Sequence, residues 1–264
     1  TLLEDYLGCG WYMPGPLGEV IPTAGAFALT GLREVQRPSF TWRGMNGIYD
    51  AQWCIRNKVD PTVSGARHGL EKGDPAFFGT FGHNYSRLVP PAKHFLDHPE
   101  YFSLIKGERK WDHTQLCTTN PDVIRLCAEG ICRDIESHPD CKVFALCQND
   151  WAGWCECANC RALDVRDGSV TDRILVFCNA VSKLVRERYP DKQIYTYAYQ
   201  KGVEPPEKVV PDPALGVQLC HIRHPCSHSH PIETAEKNTE YKRWVEGWTA
   251  ATHLLKEAME MAEK

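Results

Sequence analysis

The stretch VFALCQNDWAGWCECANC (residues 143–160) joins a run with no charged or amide side chain to a cluster of thiols. Val143–Cys147 is too short for a buried helix. It fits a strand covered on both faces, as strands of parallel sheets are. The run ends on Gln148, Asn149 and Asp150, and Cys155, Cys157 and Cys160 follow on one short loop. A buried strand that delivers an amide and a carboxylate at its C-terminal end predicts an active site at the mouth of an α/β barrel. Three soft ligands just beyond it predict a metal clamp.

The same alternation extends outward. Before the strand, Asn120 is an N-cap and Pro121 a first helical residue, followed by Ile124, Cys127, Ile131 and Ile135 at helical spacing. After the thiol loop, Ile174, Cys178, Val181 and Val185 mark a second helix that stops at Tyr189–Pro190. Ile194–Tyr199 and Gly216–His221 read as further strands, and a helix carrying Tyr241, Trp244 and Trp248 ends the chain. Upstream, Phe40–Met45, Phe77–Tyr85 and Gln115–Cys117 are strand candidates, Phe102–Ile105 is a small added strand, and Ala51–Val59 is a short helix. The expected fold is therefore α/β, a (β/α)8 TIM-like barrel over residues 39–264 that runs out before its last strands. Residues 1–38, rich in Gly and Pro after Tyr6, read as an irregular connector. Within them, LLEDYLGCGWYMPGPLGEVIP resembles the junction that joins a small upstream α/β domain to the barrel in family 20-like and family 67-like glycoside hydrolases.

Composition narrows the partners. A formal net charge of −4 argues against a nucleic-acid or anionic-membrane partner. No run of eighteen apolar residues predicts a membrane span. Thirteen cysteines, an odd number in a chain of this length, do not fit a simple disulfide framework. Neither G-x-G-x-x-G after a strand nor a P-loop is present, and C-x-x-C-H is absent, so neither a nucleotide nor a haem cofactor is expected. The chain opens at TLLEDYLGC without Met or signal peptide, which reads as part of a longer polypeptide with other domains.

Chemistry is expected at strand ends. Asp150 can protonate a leaving oxygen, and Asn149 can orient a substrate group beside it. His83 and Asn84 follow an apolar strand and would reach the same face, as would Arg43. Tyr197 and Tyr199 share one face of their strand, and Trp151 offers a ring to a sugar. The thiols Cys155, Cys157 and Cys160 need a fourth ligand for a structural zinc, and Cys226 in CHIRHPCSHSH (residues 220–230) is the preferred partner. Free thiols or a Cys157–Cys160 disulfide are the alternatives. A catalytic metal is a further one, ranked below because three thiolates favour a closed structural site.

The order of several segments resembles one bacterial domain. GHNYSRLVPP with HPEYFSLIKGER, QLCTTNPDV, QNDWAGWCECANCRALD, SVTDRILVFCNAVSKLVRERYPDK and VQLCHIRHPCSHSHPI are similar to the domain of unknown function numbered 4838. That domain includes the family 163 endo-β-N-acetylglucosaminidases and is related to family 20 and 67 type barrels. The resemblance implies an exported glycoside hydrolase, secreted, periplasmic or at the cell surface. It would cleave N-acetylhexosamine-containing glycans with help from the substrate's own acetamido group. It implies Asn149 as orienter and Asp150 as general acid, with the acid kept protonated by a dry site around Trp151 and Trp154. A non-catalytic carbohydrate-binding or surface-scaffold protein is the alternative.

Overall fold

The computed structural model describes residues 2–23, 31, 33, 35, 50–59, 79–220 and 236–252. The chain divides into two compact units, Thr1–Phe77 and Phe78–Lys264.

In the first unit, Leu2–Tyr6 forms one wide helical turn. The Gly- and Pro-rich segment after it holds a minimal hairpin, β1 (Gly10–Trp11) antiparallel to β2 (Glu19–Val20). Helix α1 (Ala51–Arg56) starts where Asp50 accepts a hydrogen bond from the Trp53 amide at 2.9 Å. Asn57 donates to the Trp11 carbonyl at 3.1 Å, and the Arg56 guanidinium lies over the Trp11 ring and pairs with Glu19. These contacts fix α1 to the hairpin. The strand candidate Phe40–Met45, with Arg43, lies outside the described residues.

The second unit begins at the edge of its sheet. Gly79 donates to the Val143 carbonyl at 2.8 Å, and a Cβ at position 79 would sit 2.1 Å from the Phe144 ring. Only glycine lets the backbone come this close. Two short helices follow, α2 (Tyr85–Leu88) and α3 (Pro91–His94), and then a hairpin of β3 (Ser103–Ile105) and β4 (Glu108–Lys110). Helix α4 (Pro121–Ser137) is capped as its sequence dictates: Asn120 Oδ1 accepts from the Asp122 and Val123 amides. Its buried stripe is Val123, Cys127, Ile131 and Ile135, with Val123 taking the place expected for Ile124.

Strand β5 (Val143–Ala145) is fully buried, as its composition requires. Helices α5 (Ala158–Arg161) and α6 (Thr171–Arg186) lead to β6 (Gln193–Ala198) and β7 (Leu215–Leu219), and helix α7 (Thr239–Ala251) follows. The sheet is parallel in the order β5-β6-β7, with Phe144 opposite Ile194 and Tyr195 opposite Gly216. Helices α4 and α6 pack on each other and on the sheet. Phe177 meets Tyr85 edge-on with centroids 5.5 Å apart. Each aliphatic side chain buried here contributes about 1.5–3 kcal/mol.

This corrects the expected barrel. Among the described residues the parallel sheet has three strands and does not close. Gln115–Cys117 is not a barrel strand: its middle residue Leu116 and the preceding Thr114 make, among the described residues, only isolated bridges, to Phe102 and Gly153. Phe102–Ile105 belongs to an antiparallel hairpin. The β6–β7 connection crosses by a single 3-10 turn and a Pro-rich loop rather than a helix. The local α/β alternation is real, but among the described residues too few strands carry it to form a ring. No helix among the described residues is long and apolar enough to cross a membrane.

Candidate functional site

Past β5 the chain stays buried through Cys147 and Gln148, then surfaces at Asn149–Trp151. Gln148 donates to the Tyr197 carbonyl at 3.1 Å, so the ends of β5 and β6 are held side by side. Asp150 and Tyr199 therefore emerge together at the carboxyl edge of the sheet. The Tyr199 hydroxyl donates to Asp150 Oδ1 at 2.9 Å, and His83 Nε2 lies 3.9 Å from the same oxygen. His83 stands edge-on to Tyr197, and its Nδ1 bonds the Gln148 carbonyl. A carbonyl only accepts, so Nδ1 carries the proton and Nε2 faces the carboxylate.

The surroundings are open. The Asp150 side chain is 59% exposed and Trp151 is 47% exposed, whereas Trp154 is buried. The dry aromatic enclosure expected around Asp150 is absent among the described residues. Trp151 stacks edge-on against His113, with centroids 4.1 Å apart. Tyr197 is buried, and burial pushes its phenol well above the ordinary range, with the neighbouring Cys147 adding to the effect. It acts as packing beneath His83.

Two expected ligand residues are engaged within the protein. Asn149 Oδ1 accepts from the Ser86 amide at 3.0 Å and hydroxyl at 2.6 Å, while Nδ2 donates to the Thr114 carbonyl at 3.0 Å. Asn84 is buried: it donates to the Ala145 carbonyl at 2.6 Å and accepts from the Cys147 amide at 2.8 Å. Its side chain extends the hydrogen bonding along the edge of β5 that Gly79 and Thr80 also meet. Both residues shape the site from behind.

The thiols converge as a set of four. The Sγ atoms of Cys117, Cys155, Cys157 and Cys160 all lie within 4.8 Å of one another. Cys117 is 3.8 Å from Cys157 and 3.9 Å from Cys160. With Zn–S bonds of about 2.3 Å, a regular tetrahedron has edges of about 3.8 Å, so these thiols need little movement to bind a metal ion. Cys117, Cys155 and Cys160 are buried, and Leu104 packs against them. The Leu104 amide donates to Cys155 Sγ at 3.3 Å, and Thr119 Oγ1 lies 3.2 Å from Cys160 Sγ. Thiol hydrogen bonds from Cys155 and Cys160, aided by the Arg109 guanidinium, hold Cys117 well below the ordinary thiol range. Four thiols in reach of one point can hold a metal ion.

Sequence reasoning missed Cys117 and named Cys226, which lies outside the described residues. No disulfide forms among the described residues, so Cys157 and Cys160 are not bridged. One signal was available. Cys117 sits among Gln115, Thr118 and Thr119, not on an apolar helix face like Cys127 or Cys178.

A cavity of about 370 Å³ opens on the far side of the thiol loop, bordered by Trp154, Arg161, Arg166, Arg173 and Lys201. Arg173 pairs with Asp164, Arg166 with Glu204 and Glu207, and Arg161 with Glu156. Asp150 and His83 do not border it.

No curated protein and no solved structure matched this chain. A family profile did match, over residues 13–256. The span includes all four clustered thiols and the whole carboxyl edge, and the chain therefore belongs to the family described as domain of unknown function DUF4838.

Proposed function

We propose that this chain processes N-acetylhexosamine-containing glycans at the carboxyl edge of its parallel sheet. Asp150 gives the proton to the leaving oxygen. The observation that carries this is the Asp150 carboxylate held between the Tyr199 hydroxyl and His83 Nε2. Ligands of open α/β sheets bind outside the carboxyl ends of the strands, where these residues emerge. Trp151 offers an apolar ring to a sugar face beside them. The resemblance of the ordered motifs to family 163 endo-β-N-acetylglucosaminidases supports the same substrate class. Asn149 belongs to the frame of the site, and an acetamido group here is oriented by Tyr199 or His83.

The four thiols hold a structural zinc in this reading. Four protein ligands fill its shell and leave no position for water or substrate. The ion then holds the loop beside Asp150 and takes no part in the chemistry.

The test is Asp150→Asn with an aryl N-acetylglucosaminide and an N-glycan as substrates. Loss of a general acid lowers kcat by about 10²–10⁴-fold. KM should stay within a few-fold. Turnover unchanged by the substitution overturns the assignment. The exposure of Asp150 and Trp151 favours a second reading, a glycan-binding protein without turnover, since nothing described excludes water from the edge. That reading requires glycan binding by both wild type and Asp150→Asn, with no product from either.

A further inference from the structure

Gln115 is 1% exposed, and among the described residues its side chain bonds only to the turn that carries Asp150. Its Oε1 accepts from the Asn149 amide at 2.8 Å. Its Nε2 donates to the Asn149 carbonyl at 2.8 Å and to the Trp151 carbonyl. One primary amide thus brackets residues 149–151 as a neighbouring strand would. Among the described residues the Asp150 side chain meets Tyr199 and His83, and its backbone is placed by this turn.

The bracket is itself anchored. The Gln115 amide donates to the Gly153 carbonyl at 2.9 Å, and Thr114 bridges Gly153 in parallel register. A Cβ at position 153 would lie 2.8 Å from the His113 carbonyl oxygen, so the two segments touch backbone to backbone. Two residues beyond this contact, the segments reach Cys117 and Cys155. The thiol cluster therefore closes one end of the paired segments, and the Gln115 amide closes the other.

We propose that Gln115 is the positioning residue for Asp150 and Trp151, and that the thiol-bound metal holds Gln115 in register. The proposal rests on the glycan-processing reading for what the turn does, but not for how the turn is held. It makes the site metal-dependent with no metal at the reacting atoms. Chelation then abolishes activity by loosening the Asn149–Trp151 turn, with the parallel sheet still folded.

The experiment compares zinc-loaded wild type, zinc-loaded Gln115→Ala and chelated wild type. Peptide-resolved hydrogen exchange, zinc content and steady-state kinetics are read on each. Gln115→Ala should keep its zinc and the protection of the β5–β6 ladder. Exchange at the Asn149 amide, which loses its Gln115 acceptor, should rise about tenfold or more, and the Trp151 amide, bonded to the Asn149 carbonyl, should follow as the turn loosens. Its kcat should fall at least tenfold, with KM changed less than threefold. Chelation should produce the same local rise, which also covers the case in which Gln115→Ala does not fold. Unchanged exchange at residues 149–151 in both, or a rise spread evenly over the unit, overturns the proposal. A wild type that holds zinc but turns nothing over refutes the catalytic reading alone, and the exchange data still decide whether Gln115 and the metal hold the turn.

Discussion

Cys117→Ser should abolish the dependence of stability on zinc, whereas Cys226→Ser should leave it intact. The four Sγ atoms already stand near the edges of a zinc tetrahedron, so binding draws little on reorganisation. A ligand that binds only the folded chain stabilises it by about 2.7 kcal/mol at a free concentration 100 times its Kd. Each further tenfold adds about 1.4 kcal/mol. For a unit of 150–250 residues, 1 kcal/mol moves the melting temperature by about 2–4 °C. Wild type should therefore melt about 5–11 °C higher at 100 times Kd than in chelator, and about 3–6 °C higher again per decade of free zinc. Calorimetry in zinc buffers, with metal content measured alongside, gives the slope. Cys117→Ser leaves three soft ligands and should give a flat line. The wild-type slope in Cys117→Ser, or its loss in Cys226→Ser, would refute the four-thiol assignment.

Three further outcomes follow from the buried polar groups. Asn84→Ala strands the Ala145 carbonyl and the Cys147 amide in the core. At about 1–3 kcal/mol for each unpaired group, a urea melt should show a loss of about 2–6 kcal/mol, and a loss below 1 kcal/mol would contradict the ladder role. Arg173→Ala removes a guanidinium that pairs with Asp164 and donates to the Cys155 carbonyl at 2.8 Å. Its side chain is 3% exposed, so the cost should be about 3–5 kcal/mol, and Arg173→Ala with Asp164→Ala together should cost less than the sum of the two singles. Burial raises the Cys178 thiol to about 12 and Cys220 to about 11. The fold favours the neutral thiol, so each contribution is complete below the unfolded pKa of about 8.5 and is lost as pH rises from there to the folded value. Stability measured from pH 9 to 11 should fall, and Cys178→Ala should make that fall shallower by about 1.4 kcal/mol per pH unit. An identical slope in the variant would place the alkaline loss elsewhere.

The elements set by local chemistry were legible in the sequence. The Asn120–Pro121 cap, the apolar periods of α4 and α6 and the buried run at Val143 depend on neighbours a few residues away, and each stands where the sequence put it. The number of strands in the sheet was not legible. Short runs such as Gln115–Cys117 have strand composition, and only tertiary pairing decides whether they join a sheet or make a single bridge. At the site, the strand-end rule named Asp150, Tyr199 and His83, and the structure brings these three side chains together at one edge. It also named Asn149 and Asn84, whose side chains bond within the protein, and an amide that completes a backbone ladder looks like a ligand-binding amide in sequence. Cys117 escaped for a related reason. Ligand spacing is a local signal, and the fourth thiol arrives from a distant segment through folding alone.

That distance also orders events in time. Between Cys117 and Cys155 lie helix α4 and strand β5, so a metal bridging the thiols encircles a substantial part of the hydrophobic core. A cross-link closing a loop of a few tens of residues removes about 3–5 kcal/mol of freedom from the unfolded chain. On a chain emerging from the ribosome, the full shell cannot form until Cys160 is clear of the exit tunnel, after α4 and β5 have already been released. The ion thus arrives as a late rivet on a partly assembled core. Zinc-starved cells should therefore accumulate a protease-sensitive species with α4 formed and the segment around Cys155 still loose.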